Sequence, residues 1–186
     1  MAPKKHKKMS DVTVQDNFLT AEDFSTLKDI FLHRETHWFL SNGIASESEV
    51  NAKQYMDPLN NWMLTHSVYN NMRPHSSGFD RVADLILPKV TEHIGKDFQA
   101  LTRIKVNLYP RTEELQIHPF HVDSNQVNWR GCLLCLNTCD GYTGFDDGTE
   151  VDSVENRAIF FDATERHHST NCTNAPYRMN ININYV

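Results

Sequence analysis

Residues 103–109 read Arg-Ile-Lys-Val-Asn-Leu-Tyr, with apolar side chains at the even positions and polar side chains at the odd positions. Successive side chains of a β-strand point to opposite faces, so this alternation predicts a half-buried strand. Residues 178–184, near the carboxyl end, alternate in the same way: one face carries Arg178 and three asparagines, and the other carries apolar residues. The sequence therefore predicts two strands that each have one polar and one apolar face.

The polar faces of these two strands could meet either solvent or an interior pocket. Solvent is the usual environment for such a face in an antiparallel sheet. The last strand, however, lacks the Lys and Glu residues that dominate solvent-exposed positions. We therefore expect Asn107 and Tyr109 on the first strand, and Arg178 with the three asparagines on the last, to line a polar pocket inside a barrel.

Further strands are expected between these two. Residues 131–137 and 158–161 are short apolar runs, which are typical of strands buried on both faces. Asp140-Gly141 and Asp147-Gly148 are strong turn signals between such strands. A run of short strands with tight turns indicates a sandwich or a closed β-roll in this half of the chain.

Two helical stripes precede the strands. Apolar residues within 24–31 recur at helical spacing behind Thr20, a typical N-cap residue. A second stripe covers residues 79–94, where Pro88 is expected to break or restart the helix and Gly95 to end it. Helices followed by strands predict an α+β fold.

The length of 186 residues fits one domain, which we place at residues 11–186. Its helical part is expected at about residues 18–100 and its strand core at about residues 101–186. Residues 1–10 carry four lysines and are expected to form a disordered basic tail. Residues 41–78 are polar and irregular, and we expect a long connection there, such as a substrate loop or lid, with one short element near residue 62.

Composition and charge argue against several classes of function. The net charge is −6, and the basic tail makes the rest of the chain more acidic still, which argues against a nucleic-acid-binding surface. No apolar run approaches the roughly 20 residues that span a bilayer, and no apolar segment follows the tail as in a secretory signal. We expect a cytoplasmic protein without a membrane partner. The oligomeric state stays open.

The four cysteines are expected to be reduced and buried. Cys132 and Cys135 have the spacing of a metal-binding pair, but they lie in an apolar run. Residues three apart on a strand face opposite sides, so this pair is not expected to bind one metal. His33 and His37 have a spacing that can bind metal on a helix, but the glutamate between them is not where a zinc protease needs it, and we favour no metal role.

The chemistry points to residues 118–123, which read His-Pro-Phe-His-Val-Asp. His121 and Asp123 are two residues apart and project to the same face of an extended strand. A second histidine source, His167 and His168, follows just after the predicted strand at 158–161. Two histidines and one carboxylate, with other positions left open, form the ligand set of non-haem Fe(II) used with oxygen. His118 competes with His121, but Pro119 intervenes and His118 does not share the face of Asp123.

Arg178 completes the pattern. The planar guanidinium of arginine binds a carboxylate through two parallel charge-assisted hydrogen bonds, so it suits a dicarboxylate ligand. Taken alone, Arg178 would be assigned to a salt bridge. A His-X-Asp pair followed by a distal histidine and then by this arginine is much more specific than any of its parts.

With these residues the sequence resembles the 2-oxoglutarate- and Fe(II)-dependent dioxygenases, in particular small prolyl-4-hydroxylase-like members such as phage-encoded ones. The resemblance rests on residues 103–123 and 158–186. It implies a double-stranded β-helix, a jelly-roll or cupin-like barrel, with the N-terminal helices packed on one sheet.

The resemblance also implies individual roles. His121, Asp123 and a distal histidine would bind iron, and we choose His167 over His168 because a ligand histidine followed by any residue and then serine is usual in the family. Arg178 would bind the distal carboxylate of 2-oxoglutarate, with Tyr109 assisting and Asn107 near the proximal end. The cofactors would be Fe(II), 2-oxoglutarate and O2, with ascorbate as a further candidate, and the products would include succinate and CO2.

The branches of the family differ in ways that the sequence can test. Halogenating members lack the carboxylate ligand, so Asp123 favours hydroxylation of a prolyl residue, an amino acid or a small metabolite. The nucleic-acid-demethylating branch has an Asn-X-Tyr and an Arg-X-Asn pattern, which this chain matches with Asn107/Tyr109 and Arg178/Asn180, but it needs a second arginine where this chain has Asn184. Nucleic-acid demethylation is therefore the alternative, and a non-catalytic binding module is a third reading. Specificity would come from residues 41–78 and 138–150, because loops carry substrate selection in such folds.

Overall fold

The computed structural model describes residues 11–44 and 61–186. The predicted basic tail at residues 1–10 and residues 45–60 of the predicted long connection lie outside the described residues. Within the described residues, the chain forms two helices and eleven strands.

Helix α1 spans Ala21–Leu32 and helix α2 spans Phe79–Ile94. The side chain of Thr20 accepts a hydrogen bond from the backbone N–H of Asp23, which confirms the predicted N-cap. Gly95 ends α2 in the left-handed conformation (φ 68°), and its N–H donates to the carbonyls of the last turn, as predicted.

The expectation that Pro88 breaks the second helix is wrong, because α2 continues through it. A proline inside a helix removes one backbone hydrogen bond and crowds the preceding turn. Val82, Ile86 and Val90 lie on the turns around Pro88 and are completely buried. Their packing holds both halves of the helix against the sheet.

Most strands belong to one large antiparallel sheet with the order β1-β9-β6-β11-β5-β3-β2, in which β4 also pairs with β3. A smaller sheet has the order β10-β7-β8. The strands are β1 (Thr13–Gln15), β2 (Phe39–Asn42), β3 (Trp62–Asn70), β4 (Arg73–Pro74), β5 (Leu101–Pro110), β6 (Arg130–Cys135), β7 (Tyr142–Phe145), β8 (Glu150–Asp152), β9 (Ala158–Asp162), β10 (His167–Ser169) and β11 (Tyr177–Tyr185). Both alternating stretches of the sequence are strands, as predicted, and they are direct neighbours in the large sheet.

The two faces of the large sheet have different coverings. On one face, the apolar side chains of β11 pack with both helices in the main core, which also contains Cys132. On the other face, β6 and β9 pack against the small sheet through a second cluster that includes Cys135 and Phe145. Two facing antiparallel sheets with helices on one outer side confirm the α+β class and the double-stranded β-helix.

The expected division near residue 100 does not separate helices from strands, because β1, β2 and β3 all join the large sheet. β3 is a nine-residue strand where the sequence predicts one short element near residue 62 or a strand pair without a definite position. Its register shifts between Ser67 and Tyr69. A β-bulge of this kind interrupts the regular alternation, so the strand has no clear signature in the sequence.

All four cysteines are free and buried, as predicted. Cys132 and Cys135 belong to cores on opposite faces of β6, which agrees with their expected orientation. Neither described helix is long and apolar enough to cross a membrane.

The N-cap of α1 provides a test of the fold. Replacing an N-cap threonine removes a partner of an otherwise unpaired N–H, so we expect Thr20→Ala to lower the free energy of unfolding by about 1 kcal/mol. Chemical denaturation measures this difference. Ser25→Ala is the control, because Ser25 is exposed inside the same helix, and we expect it to change stability by less than about 0.5 kcal/mol. Equal losses in the two variants would contradict the assigned cap.

Candidate metal centre and adjoining pocket

His121, Asp123 and His167 offer ligand atoms that all lie within 4.8 Å of one another. The segment containing His121 runs antiparallel to β10, and His121 faces His167 directly. The backbone N–H of each of these histidines donates to the carbonyl of the other, at 2.8 and 2.9 Å. The backbone N–H of Asp123 donates to the carbonyl of Ala163 at 3.0 Å. Main-chain hydrogen bonds thus set the positions of all three side chains.

Both histidines present one nitrogen to the centre. Nδ1 of His121 lies 3.3 Å from the Pro119 carbonyl, and Nδ1 of His167 lies 2.9 Å from the Glu165 carbonyl. A ring nitrogen that faces a carbonyl carries the proton, so Nε2 is left with its lone pair free for a metal. Burial, helped by the neighbouring His167, lowers the pKa of His121 to about 4. His121 is therefore neutral at physiological pH, as a metal ligand must be.

Asp123 is held by three donors on the polar faces of β5 and β11. Arg103 Nη2 donates to Oδ1 at 2.8 Å, Asn182 Nδ2 lies 3.0 and 3.2 Å from the two oxygens, and Asn184 Nδ2 donates to Oδ2 at 3.1 Å. Burial acts to raise the pKa of Asp123. The charge of Arg103 and these hydrogen bonds outweigh it and hold the pKa well below its usual range. The carboxylate is therefore ionised and fixed in orientation.

The two competing histidines lie elsewhere. His168 points to the other side of β10, where its ring packs against Phe120 and Tyr142. His118 is almost completely buried, and its Nδ1 lies 2.7 Å from the hydroxyl of Ser169. Neither belongs to the group formed by His121, Asp123 and His167.

Arg178 is completely buried on the polar face of β11, four residues before Asn182, which contacts Asp123. Its Nη1 donates to the Thr170 carbonyl at 2.9 Å and its Nη2 to the Thr143 hydroxyl at 2.8 Å. Its Nε has no hydrogen-bond partner, and no ion pair to a carboxylate occurs for it among residues 11–44 and 61–186. A buried charge without a counter-ion is costly, so the site is suited to an anionic ligand.

A pocket with a cavity volume of about 40 Å³ adjoins the three-residue group. Tyr109, Thr143 and Ser169 line it near Arg178, whereas Lys105 and the three-residue group line its other part. Asn107 also lines it; its Nδ2 donates to Asn180 Oδ1 at 3.0 Å, and its own Oδ1 has no partner. The expectation of a polar interior pocket agrees with this arrangement.

The sequence indicated a pocket-facing position for Asn182 and Asn184, but it assigned no individual role in the site to these two residues or to Arg103 and Lys105. All four lie on the polar faces of the alternating strands, so their orientation was readable. Their interaction partners could not be predicted, because these depend on strand pairing. Only the register of β5 and β11 places Asn184 opposite Arg103 and Asn182 opposite Lys105.

A separate cleft with a cavity volume of about 660 Å³, between α1 and β3, is lined by several histidines, including His33, His37 and His66. α1 ends at Leu32, so His33 and His37 do not share a helical face. Among the described residues, the only group of three potential ligands within metal-binding reach is the one at His121.

Solved structures of known proteins share this fold. A prolyl hydroxylase of Trichoplax adhaerens, solved with a hypoxia-inducible-factor peptide, aligns with a TM-score of 0.64 and 15% identity over 95% of this chain and 84% of that chain. A viral collagen prolyl hydroxylase of Paramecium bursaria Chlorella virus 1, solved with 2-oxoglutarate, aligns with a TM-score of 0.59 and 12% identity over 94% of this chain and 95% of that chain. A 2-oxoglutarate–Fe(II) oxygenase-family protein of Burkholderia pseudomallei aligns with a TM-score of 0.64 and 10% identity over 94% of this chain and 84% of that chain. This chain has the fold of the 2-oxoglutarate/Fe(II) oxygenases. No protein-family model and no curated protein matches the sequence.

The adjacent histidines provide a test of the metal centre. We expect His167→Ala to weaken Fe(II) binding by roughly 100-fold or more, because even the outer partners of metal ligands are worth about 10- to 100-fold. His168→Gln is the matched control and should retain binding. Anaerobic titration with Fe(II) measures both, and circular dichroism checks their folding. Loss of iron from the His168 variant alone would overturn the choice of His167.

The buried histidines provide a test by pH. His121 has a folded-state pKa of about 4, below the usual 6.5, so the unfolded chain binds more protons between these values and the metal-free protein loses stability as the pH falls. From pH 7 to 5 the loss from this residue is about 2 kcal/mol. His121→Asn should show a correspondingly weaker pH dependence in urea denaturation. An identical dependence in the two proteins would contradict a neutral, buried His121.

Proposed function

We propose that the protein is an Fe(II)- and 2-oxoglutarate-dependent dioxygenase that hydroxylates a prolyl residue, an amino acid or a small metabolite. The observation that carries this proposal is a His-Asp-His group that lines one pocket with Thr143, the hydrogen-bond partner of a buried arginine that has no carboxylate partner among the described residues. Neither the metal-binding group nor the buried arginine would be specific to this reaction by itself. Together they match a metal that needs open positions and a dicarboxylate that needs a cation.

The side chains of this site are compatible with both Fe(II) and 2-oxoglutarate. His121, Asp123 and His167 would hold Fe(II) through two neutral imidazoles and one ionised carboxylate. Arg178, supported by Thr143, would bind the distal carboxylate of 2-oxoglutarate, and its unpaired Nε supplies a further donor in this region. Tyr109 lies under the guanidinium, 5.8 Å from its ring centre to Cζ, and would assist through its hydroxyl. Asn107 lies two residues nearer the metal group on the same face of β5.

When bound, iron and 2-oxoglutarate would supply the activation of O2, with release of succinate and CO2 and transfer of one oxygen atom to the substrate. The chain's part is binding, orientation and exclusion of water. Arg103, Asn182 and Asn184 keep the Asp123 carboxylate from rotating, and Arg178 fixes the far end of the cosubstrate. The enclosing sheets keep water away from the reacting atoms.

The nucleic-acid alternative receives no support from Asn184. At the position where that branch uses a second arginine, Asn184 donates to Asp123 and supports the metal group. The acidic composition argues in the same direction. We therefore propose a small-molecule or peptidyl substrate. The free thiols agree with a reducing compartment such as the cytoplasm.

Succinate release from 2-oxoglutarate tests the activity directly. We expect it to require added Fe(II) and to stop with a chelator. A mass-spectrometric screen of peptide, amino-acid and oligonucleotide pools for the gain of one oxygen then tests the substrate class. A protein that neither binds iron nor releases succinate would be a binding module instead, and a product from oligonucleotides alone would reverse the ranking of substrates.

Arg178 provides a more specific test. We expect Arg178→Met to weaken 2-oxoglutarate binding by roughly 100-fold, as for loss of a buried charge-assisted pair. Its unfolding free energy without cosubstrate should fall by much less than the roughly 3–5 kcal/mol typical of a broken buried ion pair, because no carboxylate is left unpaired. Calorimetric titration and urea denaturation measure the two quantities.

Arg157→Met is the control, because it removes a surface arginine that pairs with Asp16. We expect it to leave 2-oxoglutarate affinity unchanged. Unchanged affinity in the Arg178 variant would contradict the proposed cosubstrate site.

A further inference from the structure

Lys105 is a cation inside the proposed active-site pocket that the proposed reaction does not use. It lies on the polar face of β5, opposite Asn182 of β11, and lines the pocket together with His121 and Asp123. It is four residues from Tyr109 on the same strand, which corresponds to roughly 13 Å along the strand. Lys105 is thus at the metal end of the pocket, away from Arg178.

The ammonium group of Lys105 has no hydrogen bond or ion pair with any of the residues that the structure describes. Asp123, whose charge acts on Lys105, is already held by Arg103, Asn182 and Asn184. Burial and the charge of Arg103 lower the pKa of Lys105 to about 8, so most of the group is still protonated at neutral pH. The pocket therefore contains a half-buried positive charge that has no partner among residues 11–44 and 61–186.

The cosubstrate does not account for this charge. Its distal carboxylate is assigned to Arg178, and its keto-acid end is assigned to the metal. A half-buried cation that remains after both assignments suits an additional anion, and a single lysine suits a carboxylate as a point charge. The position beside the metal group is where the reacting part of a substrate has to lie.

We propose that Lys105 binds a carboxylate of the substrate, so that the protein acts on a small free acid, such as an unmodified amino acid, rather than on a prolyl residue inside a peptide. This inference rests on the proposed function and selects among its substrate classes. A residue inside a peptide has an uncharged amide where a free amino acid has its carboxylate, and it would leave Lys105 without a partner.

The experiment compares acids with their uncharged analogues. Protein supplied with Fe(II) and 2-oxoglutarate is given free L-amino acids including proline, the corresponding amides, and a proline-containing peptide capped at both ends. Succinate release and the gain of one oxygen are measured for each. We expect at least one acid to be oxidised and to stimulate succinate release at least about tenfold more than its amide, the scale of one charge-assisted hydrogen bond.

Two variants connect this preference to the residue. Lys105→Met should lose the preference for the acid over its amide by about tenfold, whereas Lys105→Arg, which keeps the charge, should retain part of it. Lys89→Met is the matched control, because it removes an exposed lysine on α2 and should behave as the unchanged protein. Calorimetric binding of 2-oxoglutarate is measured for all of them.

Four results would overturn the inference. Amides or the capped peptide could be oxidised as well as the acids, or no acid could stimulate turnover. Lys105→Met could keep the acid preference, or it could weaken 2-oxoglutarate binding as strongly as binding of the acid, which would assign Lys105 to the cosubstrate. Each of these leaves the proposed dioxygenase activity intact. Absence of both iron binding and succinate release would instead reject the activity itself.

Discussion

The paired polar faces of β5 and β11 are the constraint on which the rest of the structure depends. Their register sets Arg178 opposite Tyr109, Asn180 opposite Asn107, Asn182 opposite Lys105 and Asn184 opposite Arg103. Polar groups and charges in an interior are unfavourable unless they are paired. Most of these groups are paired with one another, with Asp123 or with the small sheet. Arg178 donates to Thr143 of the small sheet, but it has no carboxylate partner among the described residues, and we assign the proposed cosubstrate to it.

The opposite face of β11 explains how such a strand stays in place. Met179, Ile181 and Ile183 are completely buried against the two helices. A slip of one residue would exchange these side chains with the polar ones, which would bury charge in the apolar core. The same packing that stabilises the fold therefore also specifies which side chains face the pocket.

Much of this arrangement was predictable from the sequence, because alternation reports directly on the faces of a strand. It identified β5, β11 and their polar interior side, and the spacing of His121 and Asp123 indicated a shared site. The sequence did not reveal β3, whose bulge disrupts the alternation, or the continuity of α2 through Pro88, which depends on tertiary packing. The contacts of Asp123 with Arg103 and Asn184 were also hidden, since these residues lie far apart in the chain and only strand register brings them together.

The reciprocal backbone hydrogen bonds between His121 and His167 have a consequence for how such a centre can change over evolution. These bonds join the two segments through backbone atoms alone. Replacing either imidazole would therefore leave the backbone hydrogen bonds in place. The identity of the bound ion and the chemistry it performs can accordingly diverge among descendants while the architecture persists. Selection acting on reactivity is thus largely uncoupled from selection acting on foldability at these positions.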